Sequence, residues 1–210
     1  ENMETFQLQS PLSIPFGWSQ DIISNRSIGL VKITTDEGLI GWGEGCNGPS
    51  GKIIDDILFP LLKGDDPTNI SAAWAKMFHA MYNSNSVIGF GGSAISAVDI
   101  ALWDIFGKSL GIPIWKLLGG SVRARLRVYG SVGGSTDEEA VNQASERIQE
   151  GYTAIKTTPF PTAVRPIETP RVIDKIIKRI GSIRDSIGDN VDLAIDFHRC
   201  TTPALAKILL

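Results

Sequence analysis

The apolar positions of this chain change period near residue 126, and that change divides it into two parts. Upstream, Thr5-Phe6-Gln7-Leu8-Gln9 alternates as a short strand, and Pro11 and Pro15 break the run and lead into a loop. Residues from Phe16 to about Arg26 show neither a helical nor a strand period. An aromatic, polar loop is expected there, a mobile lid or a surface segment, with Trp18 as its candidate substrate contact. Residues 28–45 carry the clearest hairpin. Ile28, Leu30, Val31 and Ile33 supply one strand, Asp36-Glu37-Gly38 the turn, and Leu39 to Glu44 the return. Gly41, Gly43 and Gly45 alternate with Trp42 and Glu44, leaving one bare face that another backbone can approach. Glu44 reads as an exposed strand-end carboxylate.

Three helical patterns follow. Ser50 is placed to cap a segment with Ile53, Ile54, Ile57, Leu58 and Leu61 on one face, and Pro60 is expected to bend it or end it early. After Gly64-Asp65-Asp66-Pro67, a second helix carries Ile70, Ala73, Trp74, Met77, Phe78 and Met81. His79 lies beside that stripe and has no acid at i±3 or i±4, which makes it structural or superficial. The third pattern is the strongest. Gly91-Gly92-Ser93 offers a cap; Ala94, Ile95, Ala97, Val98, Ala101, Leu102 and Ile105 form the stripe; Gly111 and Pro113 stop it. Asp99 and Asp104 interrupt it as half-buried acids that need partners.

Downstream, strand and helix alternate. Leu126 to Gly130 reads as a short strand, and Ser135 or Thr136 opens a helix with Glu138 or Glu139 in capping-box register, ended by Gly151. Thr153 to Thr158 is the next strand, and a proline-rich loop leads to a helix capped by Thr169 with Pro170 at its first position. That helix shows Val172, Ile173, Ile176, Ile177, Ile180, Ile183 and Ile187. A strand over residues 191–197 follows, and Thr202-Pro203 begins a last helix. Such alternation means parallel βα units, in a doubly wound sheet or a (β/α)8 barrel. No Gly-x-Gly-x-x-Gly or phosphate-loop pattern follows any strand, which counts against nucleotide-binding versions of the former. Lys156 and Thr158 close the second strand at i, i+2, as Asp196 and His198 close the third, and polar strand ends converge at the mouth of a barrel. A barrel is therefore expected. On an extended strand Asp196 and His198 share a face about 6–7 Å apart, an arrangement suited to metal binding and proton transfer.

Composition narrows the function classes. The net charge of −3 over 210 residues gives no field for nucleic acid or an acidic membrane surface. Cys46 and Cys200 stand alone, so a disulfide framework is not expected and a reducing compartment fits. No apolar run approaches the ~20 residues that span a bilayer, and no signal-peptide pattern opens the chain. A soluble, cytoplasmic protein is expected.

Several of these segments resemble a known family. Thr35-Asp36-Glu37-Gly38-Leu39-Ile40-Gly41-Trp42-Gly43-Glu44 resembles the amino-terminal hairpin of the mandelate racemase/muconate lactonizing branch of the enolase superfamily. Ser96-Ala97-Val98-Asp99-Ile100-Ala101-Leu102-Trp103-Asp104 resembles its signature helix. Gly107-Lys108, Gly111-Ile112-Pro113 and Leu117-Leu118-Gly119-Gly120 resemble the linker that follows it. Asp196-Phe197-His198 is most similar to the galactonate dehydratase type of sugar-acid dehydratase. The resemblance implies an α/β protein with a mixed α+β capping domain (1–125) and the first three βα units of an incomplete (β/α)8 TIM-type barrel (126–210). It implies a Mg²⁺-dependent hydro-lyase acting on an acid sugar, in which the metal holds the substrate carboxylate and stabilises the enediolate left by proton removal. Asp196 would be the first metal ligand and His198 the general acid that protonates the departing hydroxyl.

Two departures accompany the match. Racemases and cycloisomerases of this branch carry Lys-x-Lys at the second barrel strand, where this chain has Lys156-Thr157-Thr158. That favours a dehydratase, leaves Lys156 an electrostatic or substrate-contacting part in catalysis, and makes Thr158 a substrate contact. Arg199-Cys200-Thr201-Thr202 replaces the usual glycine-arginine continuation, so the particular acid sugar is not assigned. The general base and two further ligands have no counterpart, and a complete barrel needs roughly 200 or more residues. The expectation is the amino-terminal part of a longer enzyme, inactive alone. A racemase, epimerase or lactone cycloisomerase is the alternative chemistry, and a non-catalytic chain that only packs or assembles is the alternative class. Homo-oligomers are expected from the resemblance.

Overall fold

A computed structural model describes residues 2–18, 21–160, 169–198 and 201–209, with residues 14, 16–18 and 21 described in backbone only. The chain forms two compact units, one of Glu1–Leu12 with Asn25–Ala124 and one of Ser13–Ser24 with Arg125–Leu210.

A three-stranded sheet is ordered β1 (Asn2–Trp18), β2 (Asp21–Thr34), β3 (Ile40–Glu44), and residues 13–24 of its first two strands group with the second unit. β2 and β3 pair antiparallel from Leu30↔Glu44 to Thr34↔Ile40, and Gly38 turns the chain at φ 82°. β1 runs straight through Pro11 and Pro15 and does not stop at them. It is an edge strand, pairing on one side only, so a missing N–H is tolerated there. The expected loop from residue 16 to 26 is likewise mostly strand, because the long arms satisfy each other's backbone groups without needing an apolar period.

Pro60 does not end its helix either. α1 (Pro49–Ile53) passes through a π-helical turn at Ile54–Leu58 into α2 (Phe59–Leu62). The wider turn falls just before the proline, whose ring and missing N–H disturb an ordinary α ladder. Ser50 is not the cap; its buried hydroxyl donates to the Phe90 carbonyl at 2.9 Å. Ile54, Leu58 and Leu62 face the core, whereas Ile57 and Leu61 are exposed. α3 (Ile70–Asn83) buries Ile70, Ala73, Met77 and Met81 and leaves His79 exposed.

α4 (Phe90–Leu110) is the core helix, with Ala94, Ala97, Val98, Ala101 and Ile105 all at 0% exposure. Its length and composition would suit a membrane span, but half of the helix is buried inside the protein and its stripe packs against β2, β3 and α3 residues. A Cβ at Gly41 or Gly43 would overlap the carbonyl oxygens of Ala101 or Ala97, so the bare strand face is where the α4 backbone lies. Asp104 fastens the pair, accepting from the Trp42 N–H at 2.9 Å and from Lys108 Nζ at 2.7 Å. Gly111 ends α4 in the left-handed conformation, and α5 (Ile114–Leu117) is one short turn.

The second unit has a parallel sheet in consecutive order, β4 (Gly130–Ser131), β5 (Ala154–Thr157), β6 (Asp192–Ile195), interleaved with α6 (Asp137–Gln149), α7 (Pro170–Ile187) and α8 (Pro203–Leu209). Thr136 caps α6 and accepts from the Glu139 N–H, while the Glu139 carboxylate accepts from the Ser135 N–H. Thr169 caps α7, with Pro170 in the first turn. The first strand is displaced from the expected 126–130. β5 begins only at Ala154, so residues before Gly130 have no strand to pair with, and Leu126 and Val128 are exposed. Ile155 packs under Val132, Ala140, Ala144, Ile183 and Ile187, which puts the helices on the odd-numbered face of β5.

Candidate active site at the strand ends

Lys156 occupies the opposite face of β5 from Ile155, beside Ala194 of β6 on one side and Ser131 of β4 on the other. β6 ends at Ile195, two residues short of the expected 197, with the Asp196 N–H still bonded to the Thr157 carbonyl at 2.8 Å. The chain then curls. Asp196 Oδ1 accepts from the His198 N–H at 2.9 Å, and His198 has a left-handed φ of 46°. The two side chains therefore meet through a carboxylate-held turn, not through strand alternation. His198 Nδ1 lies 4.0 Å and Lys156 Nζ 3.3 Å from Asp196 Oδ2.

The electrostatics keep this carboxylate ionised. Burial alone pushes the Asp196 carboxyl up, but the His198 N–H, the hydrogen bond and charge of Lys156, and the charge of His198 together pull it below the ordinary carboxylate range. An ionised aspartate with its side chain 40% exposed is a hard oxygen donor that a cation can reach. It fits one position in a Mg²⁺ shell. Among the described residues no three His, Cys, Asp or Glu side chains gather into a metal-binding group.

Three of the candidate residues thus come together: Lys156, Asp196 and His198. Thr158 follows β5 and donates to the Phe160 carbonyl at 3.0 Å, so its hydroxyl is engaged by its own loop. Trp18 ends β1, and its side chain lies outside the described residues. Ser131 lies one residue beyond the end of the strand expected at 126–130; its register beside Lys156 puts it on the site's face. A cavity of about 340 Å³ lies in the first unit, between residues that include Met3, Phe59, Leu62 and Leu102, and none of the candidate residues lines it.

The profile described as mandelate racemase / muconate lactonizing enzyme, N-terminal domain, matches residues 2–119. The chain belongs to the mandelate racemase/muconate lactonizing enzyme family. Two proteins named D-galactonate dehydratase align over 184 residues, 86% of this chain and 47% of theirs: that of Verminephrobacter eiseniae at 37% identity and that of Variovorax paradoxus at 33%. The chain thus spans about half the length of the curated relatives it matches. Solved structures agree. The 3,6-anhydro-D-galactonate cycloisomerase from Zobellia galactanivorans superposes with TM-score 0.80 at 30% identity, over 100% of this chain and 54% of that one. The N-succinyl Arg/Lys racemase from Bacillus cereus gives 0.82 at 26%, over 99% and 54%. The fold of this family member is therefore a mixed domain with an antiparallel β2–β3 hairpin followed by parallel βα units of the enolase-superfamily type.

Proposed function

We propose that this chain supplies the capping domain (1–125) and the first three barrel units (126–210) of a Mg²⁺-dependent acid-sugar dehydratase, a homo-oligomeric cytoplasmic hydro-lyase. The observation that carries the reading is the gathering of Lys156, Asp196 and His198 at neighbouring parallel strand ends, on the face away from the helices. The names of the matched relatives support the same chemistry.

Asp196 would be the residue that holds the metal, with further ligands from strands beyond these three. A bound Mg²⁺ would supply positive charge at the substrate carboxylate, where negative charge grows as the adjacent proton passes to a base carried, like the further ligands, on strands beyond these three. Lys156 adds a second positive charge close to Asp196 and orients the acid. Asp196 also fixes His198 through the backbone turn. His198, when protonated, gives its proton to the hydroxyl two carbons from the carboxylate; that C–O bond breaks, water departs, and the enol left behind becomes the 2-keto-3-deoxy acid. Thr158 and Trp18 would contact the polyol.

The test is a panel of sugar acids assayed with the full-length enzyme that carries this sequence, reading 2-keto product. Asp196→Asn and His198→Asn should each lower turnover by about 10²-fold or more, in line with the loss of a ligand or a general acid. Failure of the wild type on every acid sugar would count against the reading, and unaltered assembly with no turnover would point to a non-catalytic chain. The cycloisomerase among the structural neighbours motivates the second chemistry. Solvent deuterium entering at C2 without loss of water would mean a racemase or epimerase, and ring formation without loss of water a cycloisomerase.

A further inference from the structure

The apolar stripe of α7 contains a charge. Arg179 falls between Ile176 and Ile183 and is 2% exposed. Its Nη1 donates to the Thr136 carbonyl at 2.9 Å and to the Asp137 carboxylate at 3.4 Å. Its Nη2 donates to the carbonyls of Gly133 at 3.1 Å and Gly134 at 2.9 Å. Every one of these acceptors belongs to the short segment that leaves β4 and opens α6.

Helix packing alone does not call for this arrangement. An apolar side chain of similar volume would join α6 and α7 without desolvating a guanidinium. The amino end of α6 is itself positively polarised, which makes a cation there unfavourable unless it serves something else. Among the described residues its buried Nε has no hydrogen-bond partner, a further penalty. What the guanidinium achieves is the convergence of three carbonyls of one glycine-containing loop. Other side chains finish the work: the Gly133 N–H donates to Gln143 Oε1 at 2.9 Å and the Ser135 N–H to Glu139 Oε2 at 2.7 Å. Gly134 sits at φ 99°, where a Cβ would come within 2.8 Å of the Ala140 nitrogen. So each residue from Gly133 to Thr136 has a backbone group held, although Gly133, Ser135 and Thr136 are exposed.

The loop also has a definite address. The Val132 N–H bonds the Lys156 carbonyl at 2.9 Å and Ser131 is in register with Lys156, so the loop rises from the strand end next to the candidate site. We propose that Arg179 is a positioning residue that holds Gly133–Thr136 as a preformed wall of the site, without touching substrate. The inference rests on the reading of these strand ends as the place of reaction.

The experiment compares the full chain with Arg179→Met and Arg179→Ala. The Gly133 and Ser135 amides bond to α6 side chains and not to Arg179, so their hydrogen exchange reports the loop. It should rise about tenfold or more, with α6 and α7 interior amides unchanged. Free guanidinium at low millimolar concentration should restore protection in Arg179→Ala. In the Arg179→Met enzyme kcat/KM should fall about tenfold with little change in melting midpoint, and in the Arg179→Ala enzyme free guanidinium should restore kcat/KM. Unchanged exchange at Gly133 and Ser135, or exchange rising equally throughout both helices, overturns the proposal. Should both variants fail to fold, Arg179→Lys decides on the same two amides. A wild type that turns over no acid sugar defeats the reading of the site, and the exchange result then limits Arg179 to a loop-holding role or removes it.

Discussion

Asp99 and Asp104 lie on the same helix and meet different fates. Asp104 has the Trp42 N–H and Lys108 as partners. Asp99 has no hydrogen-bond or ion-pair partner among the described residues, and burial pushes its carboxyl above the ordinary carboxylate range. A folded pKa above the unfolded one means that the charged form is penalised by folding, so the penalty is present at neutral pH and disappears below the unfolded value of about 3.9. Asp99→Asn, nearly the same shape, should therefore raise the melting midpoint at pH 7, and the gain should vanish as pH is lowered towards 4. A gain that stays constant across that range would show that charge is not the cause. The sequence marks both acids as interrupting an apolar stripe but does not tell which finds a partner, because the partner of Asp104 includes a backbone group of β3, remote in the chain. The candidate site divides in the same way. Lys156, Asp196 and His198 were legible as polar ends of apolar strands; the left-handed turn at His198 was not, since only glycine and a few other residues advertise positive φ. Arg179 had a visible signal in one charge at i+3 and i−4 from Ile176 and Ile183, and its loop acceptors, more than forty residues away, did not.

At the scale of elements, the β3–α4 contact is the most demanding fit in the first unit. Gly43→Ala places a methyl group on the Ala97 carbonyl of α4, and backbone on both sides leaves little to yield. The expected loss is about 2–4 kcal/mol, as for overpacking of a tight core. Gly38→Ala tests the contrast: nothing lies within 4 Å of its added Cβ, and only the φ of 82° resists it. About 1 kcal/mol is expected. Urea unfolding of both variants measures the difference, and equal losses would mean that the α4 backbone gives way to the added methyl group and the close approach is not what makes Gly43 necessary. The alternation Gly41-Trp42-Gly43-Glu44 announced the bare face, and the α4 stripe announced the helix that fills it. The full length of the β1 and β2 arms was hidden, because exposed residues such as Ser10, Pro11 and Ser24 to Ser27 carry no apolar period. The π-helical turn before Pro60 was hidden for a related reason: composition shows where an α ladder is disturbed but not which repair the backbone adopts.

For the whole molecule the decisive quantity is how many oxygen ligands the chain can offer one ion. Mg²⁺ demands near-octahedral oxygen coordination and gives up its waters reluctantly. Asp196 is one carboxylate, already shared by the His198 N–H and Lys156, and among the described residues no three His, Cys, Asp or Glu side chains gather into a metal-binding group. An ion bound there alone would keep nearly all its water and gain little, while displacing an ammonium that already neutralises the charge. The protein consisting of residues 1–210 is therefore expected to show no saturable Mg²⁺ binding by calorimetry at millimolar concentrations, and no dehydration of acid sugars. The parallel sheet points the same way: β4 and β6 are its outer strands, and Leu126, Val128 and Tyr129 just before β4 are 73%, 63% and 56% exposed. Parallel edges with no further strand among the described residues, beside exposed apolar side chains, invite pairing between copies. Light scattering should accordingly show self-association that grows with concentration in the 1–210 protein. Saturable Mg²⁺ binding by that protein, lost in Asp196→Ala, would show instead that three strands suffice to build the metal centre, and would move the remaining ligands from strands beyond these three to residues within this sequence.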